Sequence, residues 1–340
     1  MTIRFHIPCE FIIKTQLWYK IKEKAKGEFT MKTSELLFEW LENYEKEHIK
    51  LRTYRRYQGL IELHINPEIG EMDISELSRR QIQEFLIKKK KGGNIRTGET
   101  LSATSTNLML TILNMTFEYA IDMELVEHNP CNRLKRSPEG SRKIEAYTKD
   151  EQRRLEMTIK QEDDRRLFGI ILCLYSGLRI GELLGLEWRD VDLQKGIITI
   201  DKAIYREKDD NNVWQLYVDK PKTASSQRVI PLPPFVAEEL QHHKSTSKSE
   251  FVVENKKAQR MSIRSYQYMF ERITEKAGVR KLNFHALRHT FATRAIECGM
   301  DIKTLSEIMG HKNASITLNR YAHSMMDTKI EMMNRLQKII

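Results

Sequence analysis

The stretch "LFGIILCLYSGLRIGELLGLEWRDVDL", residues 167–193, joins an apolar segment directly to charged residues. Its apolar half predicts a buried helix that is too short to span a bilayer. Arg179 follows that helix near the core, where a charge is rarely left unpaired. Glu182 lies three residues later on the same predicted helix face, and the glycines that flank the arginine would let a backbone or a ligand approach closely. The alternative is a surface Arg–Glu pair at helical spacing.

Three segments rich in β-formers follow this stretch and predict strands: "GIITIDKAIYREK" (196–208), "NVWQLYVDKPKT" (212–223) and "SSQRVIPLP" (225–233). Helical patterns precede them and return from Pro233 to the end. The strand–helix alternation of a parallel sheet is missing. The sequence therefore predicts an α+β fold in which helices pack on a small antiparallel sheet.

Residues 30–130 predict a small domain made only of helices. Apolar side chains recur at three and four residues, which is the helical period. We expect Thr33 or Ser34 to be the N-cap of the first helix, and the second helix to end before Pro67. The four segments are "TSELLFEWLENYEKEHI" (33–49), "RTYRRYQGLIELHI" (52–65), "SRRQIQEFLIKKKK" (78–91) and "SATSTNLMLTILNMTFEYAIDME" (102–124).

A linker is predicted between the helical domain and the mixed one. The stretch "NRLKRSPEGSRKIEAYT" (132–148) has no periodicity and contains Pro138, Gly140 and several basic residues. We therefore divide the chain into an N-terminal segment (1–29), a helical domain (30–130), a basic linker (131–146) and a second domain (147–340).

The composition indicates a basic protein without covalent crosslinks. The formal net charge is +10 and the isoelectric point is about 9.2, which suggests nucleic acid or an anionic membrane as a partner. The four cysteines are too widely spaced to predict a disulfide framework or a zinc ribbon. The N-terminus lacks the features of a secretory signal. We expect a cytoplasmic protein that does not use a membrane.

The stretch "FHALRHTFATRAIECG" (284–299) places His285, Arg288 and His289 on one side of a helix. Two histidines four residues apart match the spacing of a zinc protease motif, which also needs a glutamate directly after the first histidine. Ala286 occupies that position, and the arginine would repel a cation. The sequence therefore predicts no metal site here.

Two further segments contain candidate functional residues. Lys222 falls in the turn between two predicted strands, where the alternative is an ordinary exposed lysine. In "IMGHKNASITLNRYAH" (308–323), Gly310 is expected to end a helix before His311, and Tyr321 falls on the next predicted helix. The alternative for the tyrosine is half-buried packing.

A basic segment of the helical domain, "LRTYRRYQ" (51–58), alternates arginines with Tyr54 and Tyr57. It predicts a helix that lies on DNA phosphates with some contact to bases. A solvated basic face is an equally good interpretation. The candidate DNA-binding residues are Arg52, Arg55 and Arg56.

Together these segments resemble the tyrosine recombinases, the phage integrase family. The resemblance lies in the order of four motifs across residues 145–340: "GLRIGELLGLEWRDVD", "PKTASSQRVIPL", "HALRHTFAT" and "LSEIMGHKNASITLNRYAH". It implies that the second domain is mostly helical and catalytic, with a small antiparallel sheet. Residues 30–130 are similar, less specifically, to the family's helical core-binding domain of SAM-like fold.

The resemblance implies a metal-independent, cofactor-free cleavage of DNA. Arg179 and Arg288 would hold the non-bridging phosphate oxygens, and Tyr321 would attack the phosphorus to form a 3′-phosphotyrosine. The remaining roles are base for His285, acid for Lys222, phosphate hydrogen bonding for His311, and support for Glu182 and His289.

The expected activity is site-specific recombination or integration for a phage or mobile element, on double-stranded DNA attachment sites and as a tetramer. An excisionase or a host DNA-bending protein is a candidate accessory partner, and residues 1–29 are a candidate remnant of an arm-binding domain. The alternatives are a non-catalytic repressor or architectural protein, and a type IB topoisomerase or telomere resolvase.

Overall fold

The computed structural model describes residues 30–94, 97–138, 145–209, 211, 213–219, 227–311, 313–321 and 333–334. The chain divides into two compact units, residues 1–141 and 142–340. Of the helices within the described ranges, none combines the length and the apolar character that crossing a bilayer requires. The N-terminal segment 1–29 and, apart from residues 333–334, residues 322–340 lie outside these ranges.

The first unit is helical throughout its regular elements. Its four predicted helical segments are all present, and two of them contain a π-helical turn. The elements are α1 (Thr33–Glu39), a π-helix (Trp40–Glu45), α2 (Leu51–Leu60), a second π-helix (Ile61–Ile65), α3 (Asn66–Ile69), α4 (Arg79–Gly92) and α5 (Ala103–Asp122).

Two helix boundaries of the first unit differ from the prediction. Lys32, not Thr33 or Ser34, is the N-cap of α1, because the Thr33 hydroxyl instead donates to the carbonyl of Met72 at 2.9 Å. The second helical segment also continues beyond Pro67. The π-helix before it allows a new helix, α3, to begin with the proline in its first turn, where the missing N–H costs nothing.

The first unit packs around a core of its own that includes Trp40, Ile82 and Phe117. Tyr54 belongs to this core, and its hydroxyl donates to Glu42, while the Tyr57 ring stacks on Trp40 with 6.1 Å between centroids. The Tyr54 ring is therefore buried in the protein and packs in its core.

The second unit mixes helices with short strands, as predicted. Its helices are α6 (Lys149–Gln161), α7 (Phe168–Ser176), α8 (Ile180–Leu183), α9 (Pro234–Thr246), α10 (Ile263–Lys276), α11 (His285–Glu297), α12 (Ile302–Met309) and α13 (Ala314–Tyr321), with 3₁₀ turns at Arg165–Leu167 and Trp188–Asp190. Its strands are β1 (Val191–Asp192), β2 (Ile197–Ile200), β3 (Ala203–Lys208), β4 (Trp214–Asp219) and β5 (Arg228–Pro231).

The strands form two small antiparallel sheets, one in the order β1-β2-β5 and one made of β3 and β4. In the first sheet Ile198 pairs with Ile230, and in the second Ile204 pairs with Val218. The predicted strand 196–208 is thus split between the two sheets. The α+β fold class is confirmed, with mostly helical units and antiparallel strands.

The core of the second unit is built around α7, whose side chains are almost all buried. Helix α11 packs directly on α7. A smaller apolar cluster connects α11, α12 and α13 through residues that include Phe291, Leu305 and Met309, and Tyr321 is part of it. The last three described helices therefore bring the motif of α11, the turn after α12 and the end of α13 together.

Candidate active site

Arg179 and Glu182 form a pair at the start of α8. Arg179 is the N-cap residue, with φ −78° and ψ 150°. Glu182 accepts a hydrogen bond from the Arg179 backbone N–H at 2.9 Å and another from Nη1 at 2.8 Å. The Glu182 side chain is only 7% exposed, compared with 39% for Arg179. The alternative of a surface Arg–Glu pair is therefore wrong for the carboxylate, which is buried.

The glycines that flank Arg179 allow close packing around it. Gly177 ends α7 with a φ of 67°, and a Cβ at this position would lie 2.5 Å from the Phe291 ring. A Cβ on Gly181 would lie 2.4 Å from the carbonyl oxygen of Ile204 in β3. Larger residues would push α8 away from these neighbours, so the position of the arginine depends on both glycines.

A third arginine, Arg228, completes the surroundings of Glu182. It is the first residue of β5, and its side chain is 5% exposed. Its Nη1 and Nη2 donate to the two Glu182 carboxylate oxygens at 3.1 and 2.8 Å, and its Nε donates to the carbonyl of Ile308 at 2.6 Å. The carboxylate is therefore held between two guanidinium groups.

Arg288 lies at the centre of the site and is 1% exposed. Its Nη1 donates to the carbonyl of Gly177 at 2.6 Å, and its Nη2 donates to the carbonyl of Met309 and to His311 Nε2, 3.0 Å away. His311 Nδ1 lies 2.7 Å from the Thr317 hydroxyl, which fixes the ring plane. Since an arginine can only donate, His311 Nε2 is the acceptor in this contact.

The C-terminal end of α12 contacts all three arginines. Consecutive carbonyls of Ile308, Met309 and Gly310 accept from Arg228, Arg288 and Arg179, the last at 3.4 Å. The last carbonyls of a helix have no intrahelical partners and carry a partial negative charge. Gly310 ends α12 with a φ of 62°, as predicted for the glycine before His311.

Tyr321 is the last described residue of α13, and it is 1% exposed. Its hydroxyl lies 2.7 Å from His289 Nδ1. The exposed His285 ring packs edge-on against that of His289, with 4.7 Å between centroids. The histidine in direct contact with the tyrosine hydroxyl is thus His289, whose predicted role is support, while His285, the predicted base, packs against it.

The site carries more positive than negative charge. Burial raises the pKa of Glu182, but the hydrogen bonds and charge of Arg228, with the charge of Arg179, outweigh burial and lower that pKa to about 2. Burial and the positive charge of Arg179 lower the pKa of Arg288 to about 9, which still leaves it charged at neutral pH. Three guanidinium groups thus surround one carboxylate, and the surplus charge suits an anionic ligand.

The other predicted residues are Lys222 and three arginines of the first unit. Lys222 is outside the residues that the structure describes. In the first unit, Arg52 and Arg56 are exposed on α2, whereas Arg55 donates to Gln58 at 2.9 Å and lies over the Tyr54 ring. Within the described ranges, no group of three or more His, Cys, Asp or Glu side chains is arranged to hold a metal ion.

Arg228 is the site residue that the sequence analysis missed. Its signal was an arginine at a core-facing position of a predicted strand, because Arg228 and Ile230 point inward while Val229 is exposed. A charge at such a position is rarely left unpaired, so it predicts a buried partner.

Comparison with known proteins identifies both units. The sequence profile of the phage integrase family matches residues 145–328, which is more than half of the chain. The profile of the phage integrase N-terminal SAM-like domain matches residues 33–90.

Two curated relatives match most of the chain. A protein described as "Tyrosine recombinase XerC-like" from Caldanaerobacter subterraneus subsp. tengcongensis is 29% identical over 315 residues, which cover 85% of this chain and 78% of the relative. The ICEBs1 integrase of Bacillus subtilis is 26% identical, with 84% of this chain and 78% of the relative covered.

Solved structures show the same architecture. The Tn1549 transposon integrase in complex with transposon right end DNA matches with a TM-score of 0.76 and 25% identity, over 90% of this chain and 99% of that one. A lambda integrase dimer bound to a core site, 18% identical, matches in fold with a TM-score of 0.62 over 84% of this chain and 97% of that one. With its larger unit matched by the family profile and its fold matched by these integrases, the chain belongs to the phage integrase family of tyrosine recombinases.

Proposed function

We propose that this protein recombines DNA by transient cleavage at Tyr321, within a site that binds one phosphodiester. The observation that carries the proposal is the contact pattern of two adjacent residues of α11. Arg288 contacts His311 at 3.0 Å, and His289 contacts the Tyr321 hydroxyl at 2.7 Å. Neighbouring residues of α11 would thereby hold a phosphate-binding charge and orient a nucleophile.

The protein is a DNA recombinase of the type found in mobile elements. The relatives are called integrases, recombinases and transposases, and the Tn1549 integrase structure contains DNA. These relatives disfavour a repressor or architectural protein, which would not need a nucleophile. A type IB topoisomerase or a telomere resolvase would share the chemistry, and a DNA relaxation assay without a specific site distinguishes it.

Cleavage forms a bond between the Tyr321 oxygen and phosphorus and breaks the bond from phosphorus to the 5′ oxygen. Negative charge accumulates on the non-bridging oxygens, and planar, permanently charged guanidinium groups suit it. In this proposal Arg288 and Arg179 bind those oxygens. His311 adds a hydrogen bond, for which Nε2 must carry a proton and give up its present contact with Arg288.

Proton transfer requires a base at the tyrosine and an acid at the leaving group. An unperturbed tyrosine has a pKa of about 10, so the nucleophile needs help at neutral pH. The geometry favours His289 as the immediate acceptor of the Tyr321 proton, with His285 behind it in ring contact. Lys222 is the proposed acid that protonates the 5′ oxygen. The phosphotyrosine conserves the energy of the ester, so rejoining to another 5′ hydroxyl needs no ATP.

The proposed partners follow from the same chemistry. Each chain provides one Tyr321, and exchanging two duplexes breaks four strands, so four protomers on double-stranded DNA attachment sites are needed. The proposal includes an excisionase or a host DNA-bending protein as an accessory partner. Light scattering of the protein with and without a duplex that contains the attachment site tests the tetramer.

The nucleophile is tested by adduct formation on a nicked duplex made from the junction sequence of the element that encodes the protein. The parent protein should become covalently attached to the 3′ side of the break, and Tyr321→Phe should bind the duplex without forming an adduct. An adduct of undiminished yield in Tyr321→Phe would rule out this nucleophile.

The same duplex distinguishes the two histidines. If His289 is the direct acceptor, His289→Gln should slow cleavage about 100-fold, within the range for general-base catalysis. His285→Gln should have a smaller effect. If His285→Gln slowed cleavage more than His289→Gln, His285 would be the base.

A further inference from the structure

Arg228 is a buried charge that the proposed chemistry does not use. It begins β5, next to α12, at a strand position that faces the protein interior. Burying a guanidinium group is unfavourable unless its donors are satisfied. Its Nε, Nη1 and Nη2 all donate hydrogen bonds, so its orientation is fixed.

The partners of Arg228 belong to two different parts of the site. Two of its nitrogens form a fork with Glu182, which in turn binds the backbone N–H and Nη1 of Arg179. Its Nε binds the carbonyl of Ile308, in the turn that leads to His311. One guanidinium group thus connects the start of α8 with the end of α12.

The turn after α12 is shaped to accept this guanidinium group. Gly310 has a φ of 62°, and a Cβ at that position would lie 3.0 Å from Arg228 Nη1 and 3.1 Å from its Cδ. The missing side chain leaves room for the arginine to lie against the turn. Arg228 therefore contacts the turn through packing as well as through the bond to Ile308.

We propose that Arg228 is a positioning residue, which holds the Glu182–Arg179 pair and the His311 turn at the spacing that the scissile phosphate requires. This rests on the proposed function of the site. Arg228 has no direct role towards the phosphate, since its charge is already matched by Glu182. Its effect on the reaction passes through Arg179 and His311.

The test separates DNA binding from cleavage. At saturating protein on the nicked junction duplex, Arg228→Gln should slow single-turnover cleavage about 100-fold, because a small misplacement of catalytic groups has effects of that size. The Kd for the duplex should remain nearly unchanged. Arg228→Lys should recover only part of the rate, since lysine keeps the charge but cannot form the fork.

Another arginine of the same unit provides a matched control. Arg280 forms a fork with Glu151, through bonds of 2.7 and 2.8 Å, and also binds the carbonyl of Ala146, but its side chain is 47% exposed. The hydrogen bonds from Arg280 lower the pKa of Glu151 to about 2, although burial acts to raise it. Arg280→Gln should leave the cleavage rate nearly unchanged. An equal loss in both variants would mean that any broken Arg–Glu fork impairs the enzyme, and would overturn the proposal.

A double variant distinguishes positioning from simple stabilisation. Arg228→Gln leaves Glu182 with less compensation, so it should lower the Tm, and adding Glu182→Gln should restore much of it. The cleavage rate should stay low in the double variant, because Arg179 has lost its carboxylate. If the rate instead returned with the Tm, Arg228 would only stabilise the fold.

The pH profile gives a second readout. The charged or titratable groups that face Glu182 are Arg179, Arg228, Arg288 and the Cys173 thiol. Without Arg228, burial should raise the pKa of Glu182, so the acid limb of the cleavage profile should move to higher pH. The shift should vanish when Glu182→Gln is added. A parent enzyme that forms no adduct would refute the proposed function, whereas an active parent with an unaffected Arg228→Gln would refute only the positioning role.

Discussion

Arg228 and Arg288 are two buried guanidinium groups of one site, and they are held in opposite ways. Arg228 forms a two-bond fork with the Glu182 carboxylate. Arg288 donates to the carbonyls of Gly177 and Met309 and to His311, and among the described residues no carboxylate forms an ion pair with it. Both also bind the end of α12, so the difference lies in how each charge is balanced.

This difference suggests that the two arginines have different functions. The charge of Arg228 is used inside the protein, where it fixes the geometry of its neighbours. The charge of Arg288 is oriented by neutral groups and forms no ion pair among the described residues, which is unfavourable until an anion arrives. A site that is destabilised without its ligand can bind the transition state more strongly than a fully neutralised one.

Replacing Arg288 should have the largest effect on activity and little effect on stability. We expect Arg288→Gln to slow cleavage by about 1,000-fold, the upper range for removal of one charge-stabilising donor. Its free energy of unfolding should remain within about 1 kcal/mol of the parent, because removing an uncompensated buried charge offsets the lost hydrogen bonds. Single-turnover cleavage and urea unfolding measure the two quantities. A loss of several kcal/mol would show that Arg288 stabilises the fold as Arg228 does.

Replacing Glu182, unlike replacing Arg288, should have a large effect on stability. Glu182→Gln leaves Arg228 buried without its counter-charge, and breaking such a pair lowers the free energy of unfolding by about 3–5 kcal/mol. Urea unfolding of the parent and the variant measures this difference. A change below about 1 kcal/mol, typical of a surface pair, would mean that the buried fork is not the element that holds this part of the site together.

Acid should remove the same contribution in the parent protein. The folded state lowers the pKa of Glu182 from 4.5 to about 2, so its ionised form stabilises the fold at neutral pH. This contribution to the free energy of unfolding is about 3 kcal/mol. It is fully present above the unfolded-state pKa of Glu182, and it is lost as pH falls through the folded-state pKa. The gap in unfolding free energy between the parent and Glu182→Gln should therefore narrow as pH falls from about 5 towards 2. A constant gap would contradict the assignment to Glu182.

The sequence predicted most helices because their pattern is local. Apolar periodicity located α4, which was predicted over residues 78–91 and is observed over Arg79–Gly92. The partition of the strands was not predictable in this way, because it depends on distant pairing. Lys202, between β2 and β3, is bound to Asp190 at 2.6 Å, and the chain changes sheets at this point. No local pattern contains that contact.

In the candidate site, too, local sequence patterns did not predict contacts between distant residues. The order of the motifs predicted the candidate residues. The structure places Arg179 and Arg288 against the end of α12, Arg288 against His311, and Tyr321 against His289. Which histidine contacts the tyrosine was not evident, because His285 and His289 share a helix face and only the placement of α13 separates them. Arg228 was missed because its partners lie 46 and 80 positions away in the chain.

The smallest expected effect concerns the exposed arginines of α2. Arg52 and Arg56 are exposed on one face of α2, four residues apart, whereas Arg55 is engaged with Gln58 and the Tyr54 ring. If the exposed pair contacts phosphates, replacing both with alanine should reduce the slope of log Kd against log salt by about 2. Arg55→Ala should reduce it less, and cleavage at saturating protein should be unaffected in both. An unchanged slope for the double variant would show that this face does not bind phosphates. Slower cleavage at saturating protein would show that these surface charges, like the buried charges of the site, affect the reaction itself.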